Sequence, residues 1–459
     1  MPLTLNEIAS LIKTELSEQD RESDKYAKTS ITGVAIDSRK VTKGDLFVAL
    51  KGNRVDGHTF IPEVAAKGAA AVMVSEEIET TLPKLRVTDT VKSLGVLAKN
   101  YRSRFQIPII SVTGSCGKTT VKEMIYSILK QAAGENNEAV LASQGNLNTD
   151  VGLPLTLLKL TSEHKMAVIE MGARQKGDIA YLMQLTEPRV SIITNAGIAH
   201  LGAFGSEQGV AEAKGEIYQH LQKDGIAIIN ADDKFASFWQ SLLRGQQVIT
   251  FGLESEASIT CSYFIEEPTK SQFELTTDIG NIEISLPLLG KHNILNALAA
   301  AAGARALDIS LEHIQAGLQN FKAVNRRLQC KPGLSGACII DDSYNANPIS
   351  VRAALEVLSQ FSGKKIAVLA DMKDLGPNAL DLHREIGIEA KKLGIDQLLC
   401  WGELATEYVK GFGSLAEHFN DKQSLIKAIP AILDANTTVL VKGSLSMAMD
   451  EVVQALVQE

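Results

Sequence analysis

Short runs of β-branched and aliphatic residues alternate along the chain with stretches of helical periodicity, and their spacing divides the sequence into three blocks. In the first, residues 1–89, β-like runs at 33–36, 46–49 and 71–74 surround a helical stretch at 61–67. Its turns are marked by Lys43-Gly44-Asp45, Lys51-Gly52-Asn53 and Asp56-Gly57. The second block, residues 90–322, opens with a helical stretch at 91–101. Apolar runs at 107–112, 166–169, 190–194, 226–229 and 248–251 follow, separated by helical segments. That alternation predicts a parallel sheet built from βαβ units. Between 258 and 286 the pattern changes to short alternating strands, which predicts an antiparallel extension, and an alanine-rich helix is predicted at 293–307. The third block, residues 323–459, repeats the strand–helix alternation with runs at 337–340, 366–369, 397–400 and 439–441, predicting a second, smaller doubly wound domain.

Length agrees with this division, since 459 residues at about 150 per domain gives about three domains. At 45% hydrophobic and 22% charged, each block has the composition to bury a core without disulfides. Lysine plus arginine total 46 against 54 acidic residues, a net charge of -8. This argues against a general nucleic-acid binder and leaves room for local basic pockets. Charges throughout the first thirty residues (Glu7, Lys13, Glu15, Glu18, Asp20, Arg21) lead us to expect no signal-peptide core. The most apolar helical stretch, 297–302, falls far short of the about 20 residues that span a bilayer. Five scattered cysteines with no Cys-x-x-Cys pair fit a reduced, cytoplasmic protein.

The strongest chemical signal is Ile109-Ile110-Ser111-Val112-Thr113-Gly114-Ser115-Cys116-Gly117-Lys118-Thr119-Thr120. An apolar strand runs into a glycine-containing loop, then Lys-Thr, then a helix, which is the context a phosphate-binding loop requires. The glycines let backbone N–H groups turn towards phosphate oxygens, and the helix N-terminus adds partial positive charge. Lys118 would reach the β- and γ-phosphates of ATP, and the Thr119 hydroxyl would ligate Mg2+. The spacing is the short Gly-x-x-Gly-Lys-Thr form, with Val112 where a longer loop carries glycine.

Two more strand ends should converge on this loop, because ligands in doubly wound sheets sit beyond the carboxyl ends of the strands. Run 166–169 ends in Glu170, a candidate magnesium ligand that on local evidence alone also reads as a turn cap. Run 190–194 leads through Asn195 to His200, a lone histidine whose position one loop past a strand raises it as a metal ligand. Lys214 follows in a helical segment, and nothing local separates it from a solvated lysine. The expected fold class is therefore α/β in three domains. These are a small mixed α/β N-terminal domain, a central P-loop-type parallel-sheet ATPase domain and a C-terminal Rossmann-like domain.

Taken together, these motifs resemble the Mur ligase family, the ATP-dependent amide-bond ligases of peptidoglycan precursor synthesis. The likeness covers essentially the whole chain. It rests on Thr113 to Thr119, on Lys291-His292-Asn293-Ile294-Leu295-Asn296-Ala297 and on Asp341-Asp342-Ser343-Tyr344-Asn345-Ala346-Asn347-Pro348. Asn146-Leu147-Asn148, Ala370-Asp371-Met372-Lys373-Asp374 and Val441-Lys442-Gly443-Ser444 add to it. Within the family, the pattern is most similar to members that join D-alanyl-D-alanine to UDP-N-acetylmuramoyl-tripeptide. The resemblance implies that Ser115, Cys116 and Gly117 contact ATP with the rest of the loop, and that Asn293 and Asn296 lie near the adenine. Arg327 would contact the γ-phosphate and Asp342 the ribose. Lys118, Glu170, His200, Arg327 and Asp342 would form the catalytic set, and Lys214, carbamylated, would help hold a second magnesium with His200. Ser38 and Arg39 would cradle the UDP end, with Asn148, Tyr344, Asn345 and Asn347 contacting substrate. A monomer is expected. The sequence departs from the family pattern at Arg326, where a glycine is usual, and at Leu445, where an arginine is usual. Another amide ligase of the same architecture, such as a folylpolyglutamate synthetase, would keep the loop, Glu170 and His200 but lack Tyr344-Asn345-Ala346-Asn347. A non-catalytic nucleotide-binding protein would be expected to lose Lys118 or the metal ligands.

Overall fold

A computed structural model of the chain describes residues 3–13, 28–52, 55–134, 138–198, 201–267 and 270–458. At the N-terminus, β1 (Leu3–Thr4) and β2 (Ser30–Ile31) pair antiparallel. Beside them lies a parallel sheet of β3 (Gly33–Ala35), β4 (Asp45–Val48), β5 (Ala71–Val74) and β6 (Lys84–Arg86), in sequential order. Its two faces pack differently. Phe47, Ala49, Val72 and Val74 cover Ile61 and Val64 in a local core. Leu46, Val48, Ala71 and Met73 face the helix Thr90–Arg102 and share one continuous core with the central sheet. The N-terminal block is thus tied to the centre by buried apolar surface.

The central sheet contains β7 (Ile109–Thr113), β8 (Val140–Ala142), β9 (Met166–Glu170), β10 (Val190–Ile193), β11 (Ile226–Asn230) and β12 (Gln247–Phe251). All are parallel, in the order β12-β11-β10-β7-β9-β8. Alternate residues of these strands enter opposite cores, which is why each reads as a continuous apolar run. The chain winds from β7 towards β9 on one side and returns to β10 on the other. The crevice at the carboxyl end of β7 is therefore the topological switch point where such sheets bind ligands. The predicted antiparallel extension is β13 (Thr260–Glu267), β14 (Lys270–Thr277) and β15 (Gly280–Leu286). The alanine-rich helix Lys291–Arg305 packs behind β10 to β12 together with the helix Lys118–Ala133.

The C-terminal sheet has the order β16-β17-β21-β18-β19-β20, with β16 (Gln329–Pro332) antiparallel to β17 (Cys338–Asp342). The remaining strands, β18 (Lys364–Ala370), β19 (Gln397–Trp401), β20 (Ala416–Phe419) and β21 (Thr437–Lys442), are parallel. The pattern of hydrophobic runs did not predict β6, β8, β16 or β20. Each is a short strand at a sheet edge; β6, β16 and β20 carry polar or half-exposed positions, and β8 is an apolar run of only three residues. Among the described residues, no helix is long and apolar enough to cross a membrane.

Candidate functional site

Gly114 (φ 149°) and Gly117 (φ 81°) let the loop after β7 curl. A Cβ at Gly117 would stand 2.4 Å from Asn296 Oδ1, so only glycine lets the loop sit against the helix Lys291–Arg305. Gly117 is also the N-cap of the helix Lys118–Ala133, which has no side-chain cap. The first-turn N–H groups of that helix are left facing the crevice, an anion site by construction. Asn195, at the end of β10, clamps the other half of the loop. Its carbonyl accepts from Ser115 N–H (3.0 Å), its Oδ1 accepts from Cys116 N–H (2.9 Å), and its Nδ2 donates to the Cys116 carbonyl (3.2 Å). Thr113 lies beneath the loop and donates to the Met171 carbonyl at 2.8 Å.

Lys118 folds back over the loop and donates to the carbonyls of Gly114 (2.7 Å) and Ser115 (3.2 Å). Burial holds its ammonium below the ordinary lysine range. Glu170 and Cys116 oppose that shift, and Arg327 adds to it. Glu170 closes β9 and is buried, so it is a strand-end carboxylate aimed into the crevice and not a turn cap. Its Oε1 accepts from Asn148 Nδ2 at 2.8 Å, whereas its Oε2 is buried without a hydrogen-bond partner. A buried carboxylate oxygen left unpaired costs free energy unless a cation or donor completes it. A divalent cation beside the Thr119 hydroxyl would complete Glu170 Oε2, and both residues line the same cleft of about 420 Å³.

Lys214 also lines that cleft, from the buried face of the helix Glu207–Gln219. Burial, reinforced by the nearby Lys118 charge, pulls its amine down to about 7; Glu216, Asp178 and Glu170 pull the other way. His200 lies outside the described residues.

The opposite wall comes from the C-terminal domain. Arg327 Nη2 donates to Thr119 Oγ1 at 2.9 Å, and its guanidinium stacks 4.4 Å from the Tyr344 ring centroid. Asp342, at the end of β17, is buried against Lys442, which also donates to the Asn345 carbonyl at 2.9 Å. Burial raises the Asp342 carboxyl; Lys442 and Arg327 oppose the shift. Asn347 caps the helix Pro348–Ser359 through Ser350 N–H at 2.9 Å and touches the Cys116 sulfur, joining the two domains at the loop. Asn293 and Asn296 bond each other at 3.2 Å on the cleft wall. The candidates from Ser115 to Thr119, Asn148, Glu170, Lys214 and the C-terminal group thus meet in one cleft. Ser38 and Arg39 do not line it. Arg39 is exposed and paired with Asp37 at 2.8 Å, and the Ser38 carbonyl accepts from Lys67.

The two adjacent arginines divide cleanly. Arg326 holds the C-terminal domain to itself, donating to Ser343 Oγ (3.1 Å), the Ser343 carbonyl (2.8 Å) and Asp450 (2.9 Å). Its φ of 63° is a conformation that favours glycine. Arg326→Ala should therefore lower stability by about 1–3 kcal/mol, and Arg326→Gly should lose less, because glycine relieves the backbone strain. Thermal unfolding of the two variants checks that order.

Sequence reasoning did not single out Asn195, Lys442 or His292 as site residues. Asn195 and Lys442 follow or close parallel strands at a switch point, a signal that was present in the sequence. Burial drives the His292 imidazole down to about 4, so it lines the cleft as a neutral ring.

Three family models match the chain. A "Mur ligase family, catalytic domain" covers 30–117, a "Mur ligase middle domain" covers 112–304, and a "Mur ligase, glutamate ligase domain" covers 326–445. The UDP-N-acetylmuramoyl-tripeptide--D-alanyl-D-alanine ligase of Escherichia coli K12 is 40% identical over 99% of this chain and 98% of its own length. The Bacillus subtilis protein of the same name is 34% identical over 99% and 98%. A crystal structure of MurF from Acinetobacter baumannii superposes with a TM-score of 0.92 at 34% identity, covering 99% of this chain and 98% of that one. MurF ligase from Thermotoga maritima, solved in complex with ADP, gives 0.82 at 28% identity over 92% and 96%. A phosphate loop, a strand-end carboxylate and an arginine from a second domain meet in one cleft, in a chain alike to these ligases along its length: the chain belongs to the Mur ligase family.

Proposed function

We propose that this protein is an ATP-dependent ligase joining D-alanyl-D-alanine to UDP-N-acetylmuramoyl-tripeptide. The observation that carries the reading is the Arg327–Thr119 contact, which brings a C-terminal cation to the start of the phosphate-loop helix beside Glu170. A terminal carboxylate of the tripeptide attacks the γ-phosphorus of ATP, giving an acyl phosphate and ADP. The acceptor amine then attacks the acyl carbon, phosphate leaves with the bonding electron pair, and the amine gives up a proton. The first step brings two anions together, so catalysis is mainly positioning and charge neutralisation.

Lys118 exchanges its two loop carbonyls for phosphate oxygens. Arg327 neutralises the transferring group from the other side, and the Tyr344 ring fixes its plane. Asn293 and Asn296 contact the adenine, Asp342 the ribose, and Lys442 holds Asp342 in place. Thr119 and Glu170 would hold Mg2+, with Asn148 orienting Glu170; His200 and a carbamylated Lys214 would hold a second ion. When bound, magnesium offsets the charge of the phosphates and of the incoming carboxylate. Ser38 and Arg39 form part of the seat for the UDP end, with Asn345 and Asn347 on the peptide side. The protein acts as a monomer in this scheme. The need for ATP and the five free cysteines support a cytoplasmic location.

Phosphate release with UDP-tripeptide and ATP, measured against a series of amine acceptors, tests the reading. D-alanyl-D-alanine should give turnover well above any single amino acid; equal rates would refute it.

A further inference from the structure

The helix Lys118–Ala133 carries a fully buried lysine that the proposed chemistry does not use. Its buried positions include the apolar Val121, Met124, Ile125 and Ile128, and Lys122 stands among them without solvent contact. Burying an ammonium costs free energy, and an apolar side chain of similar length would serve the fold as well. Lys122 does not line the cleft. Two of its three donors are placed, one on the neighbouring Glu123 carboxylate and one on the Ser143 carbonyl at 2.7 Å. Ser143 follows β8 directly and is buried. Its N–H donates to the Val168 carbonyl at 3.2 Å, and its Oγ accepts from the Glu170 N–H at 3.0 Å. The chain then runs to Asn148, whose carbonyl accepts from the Gly172 N–H at 2.8 Å and whose Nδ2 donates to Glu170 Oε1 at 2.8 Å. Segment 143–148 is therefore fastened to the end of β9 at residues 170 and 172. Lys122 ties the same segment to the phosphate-loop helix, one turn after Lys118.

We propose that Lys122 is a positioning residue for Glu170: by fixing Ser143 it holds the strand-end carboxylate, and the Asn148 that orients it, at a constant offset from the phosphate loop. This rests on the function proposed above, in which Glu170 and Thr119 hold the same Mg2+. Thr119 belongs to the helix and Glu170 to the sheet, so the link between helix and sheet decides how well one ion fits both. That link leaves Glu170 Oε2 to the ion, because Ser143 takes the backbone N–H and Asn148 takes Oε1. Groups that orient a metal ligand change metal affinity about 10- to 100-fold when removed.

The test titrates Mn2+ into the ADP-bound protein, followed by electron paramagnetic resonance, for the wild type, Lys122→Met, Ser143→Ala and the double variant. Glu170→Gln marks which Mn2+ signal belongs to this site, and metal-free ADP affinity is measured on the same preparations. Lys122→Met should weaken Mn2+ binding about 10- to 100-fold and keep metal-free ADP affinity within about 2-fold. Ser143→Ala should weaken Mn2+ binding too, and the double variant should lose no more than the larger single loss, because both act through one link. Half-maximal Mg2+ for turnover should rise by the same factor. Unchanged Mn2+ affinity in Lys122→Met, or losses that add in the double variant, overturns the inference. So does an equal loss of metal-free ADP affinity, which marks a merely structural lysine. If Lys122→Met does not fold, Ser143→Ala decides, and unchanged Mn2+ affinity there overturns the inference. A wild type that binds ADP but no Mn2+ removes the metal site and the inference together. The titration needs no acceptor, so it still decides the role of Lys122 if the wild type fails to turn over D-alanyl-D-alanine and the proposed function falls.

Discussion

Lys118→Ala should lower turnover about 10³-fold or more while leaving the melting temperature near that of the parent. The ammonium is buried beside the loop, and its hydrogen bonds go to two carbonyls that any phosphate-bound state must release. Burial already disfavours its charged form, so the native fold gains little from this cation. In the proposed reacting complex the same charge would face the β- and γ-phosphates, where its loss would have no substitute. Arg327 enters from the other domain and Thr119 offers a hydroxyl, but neither occupies the loop's centre. Phosphate release and thermal unfolding on the same preparation separate the two effects. A variant that unfolds early and also loses activity would point to a structural lysine, and one with full activity would remove the phosphate-loop argument.

The second large effect concerns Lys214. Removing CO2 and bicarbonate should depress turnover strongly, and Lys214→Ala should lower it about 10²-fold at any bicarbonate level. Carbamylation joins the neutral amine nitrogen to the carbon of CO2 and releases a proton, replacing an ammonium with an anion. Only the unprotonated amine reacts. An amine at about 7 is roughly half neutral at pH 7, whereas an ordinary lysine, near 10.4, is almost wholly charged. The sign follows directly: lowering pH through about 7 protonates the amine, opposes carbamate formation and should reduce turnover. Added bicarbonate should partly restore it. A carbamate signal from ¹³C-labelled bicarbonate, present in the wild type and absent from Lys214→Ala, identifies the modified atom. A bicarbonate-independent rate with no such signal would count against the assignment.

Much of this was legible before any coordinates. The inner strands of the parallel sheets are buried on both faces, so their sequences are continuous apolar runs, and β5 falls at the predicted residues. The phosphate loop was legible because its constraint is local: a strand, two glycines and a helix start must follow one another in the chain. The edge strands β6, β16 and β20 were not, since part of their surface meets solvent or a loop and polar residues satisfy it. The shared core of the N-terminal and central blocks was also hidden, because a block boundary in sequence carries no record of which face will be buried against what.

The site divides along the same line. By itself the sequence determined the strand–helix order, the loop that turns towards phosphate, and the strand end at which Glu170 must sit, because each follows from residues adjacent in the chain. Only the tertiary structure decided which of Arg326 and Arg327 faces the loop, that Glu170 keeps one buried oxygen unpaired, and that Lys214 loses its solvent. Those properties depend on desolvation and on partners many residues away, which arise when the domains pack and not before.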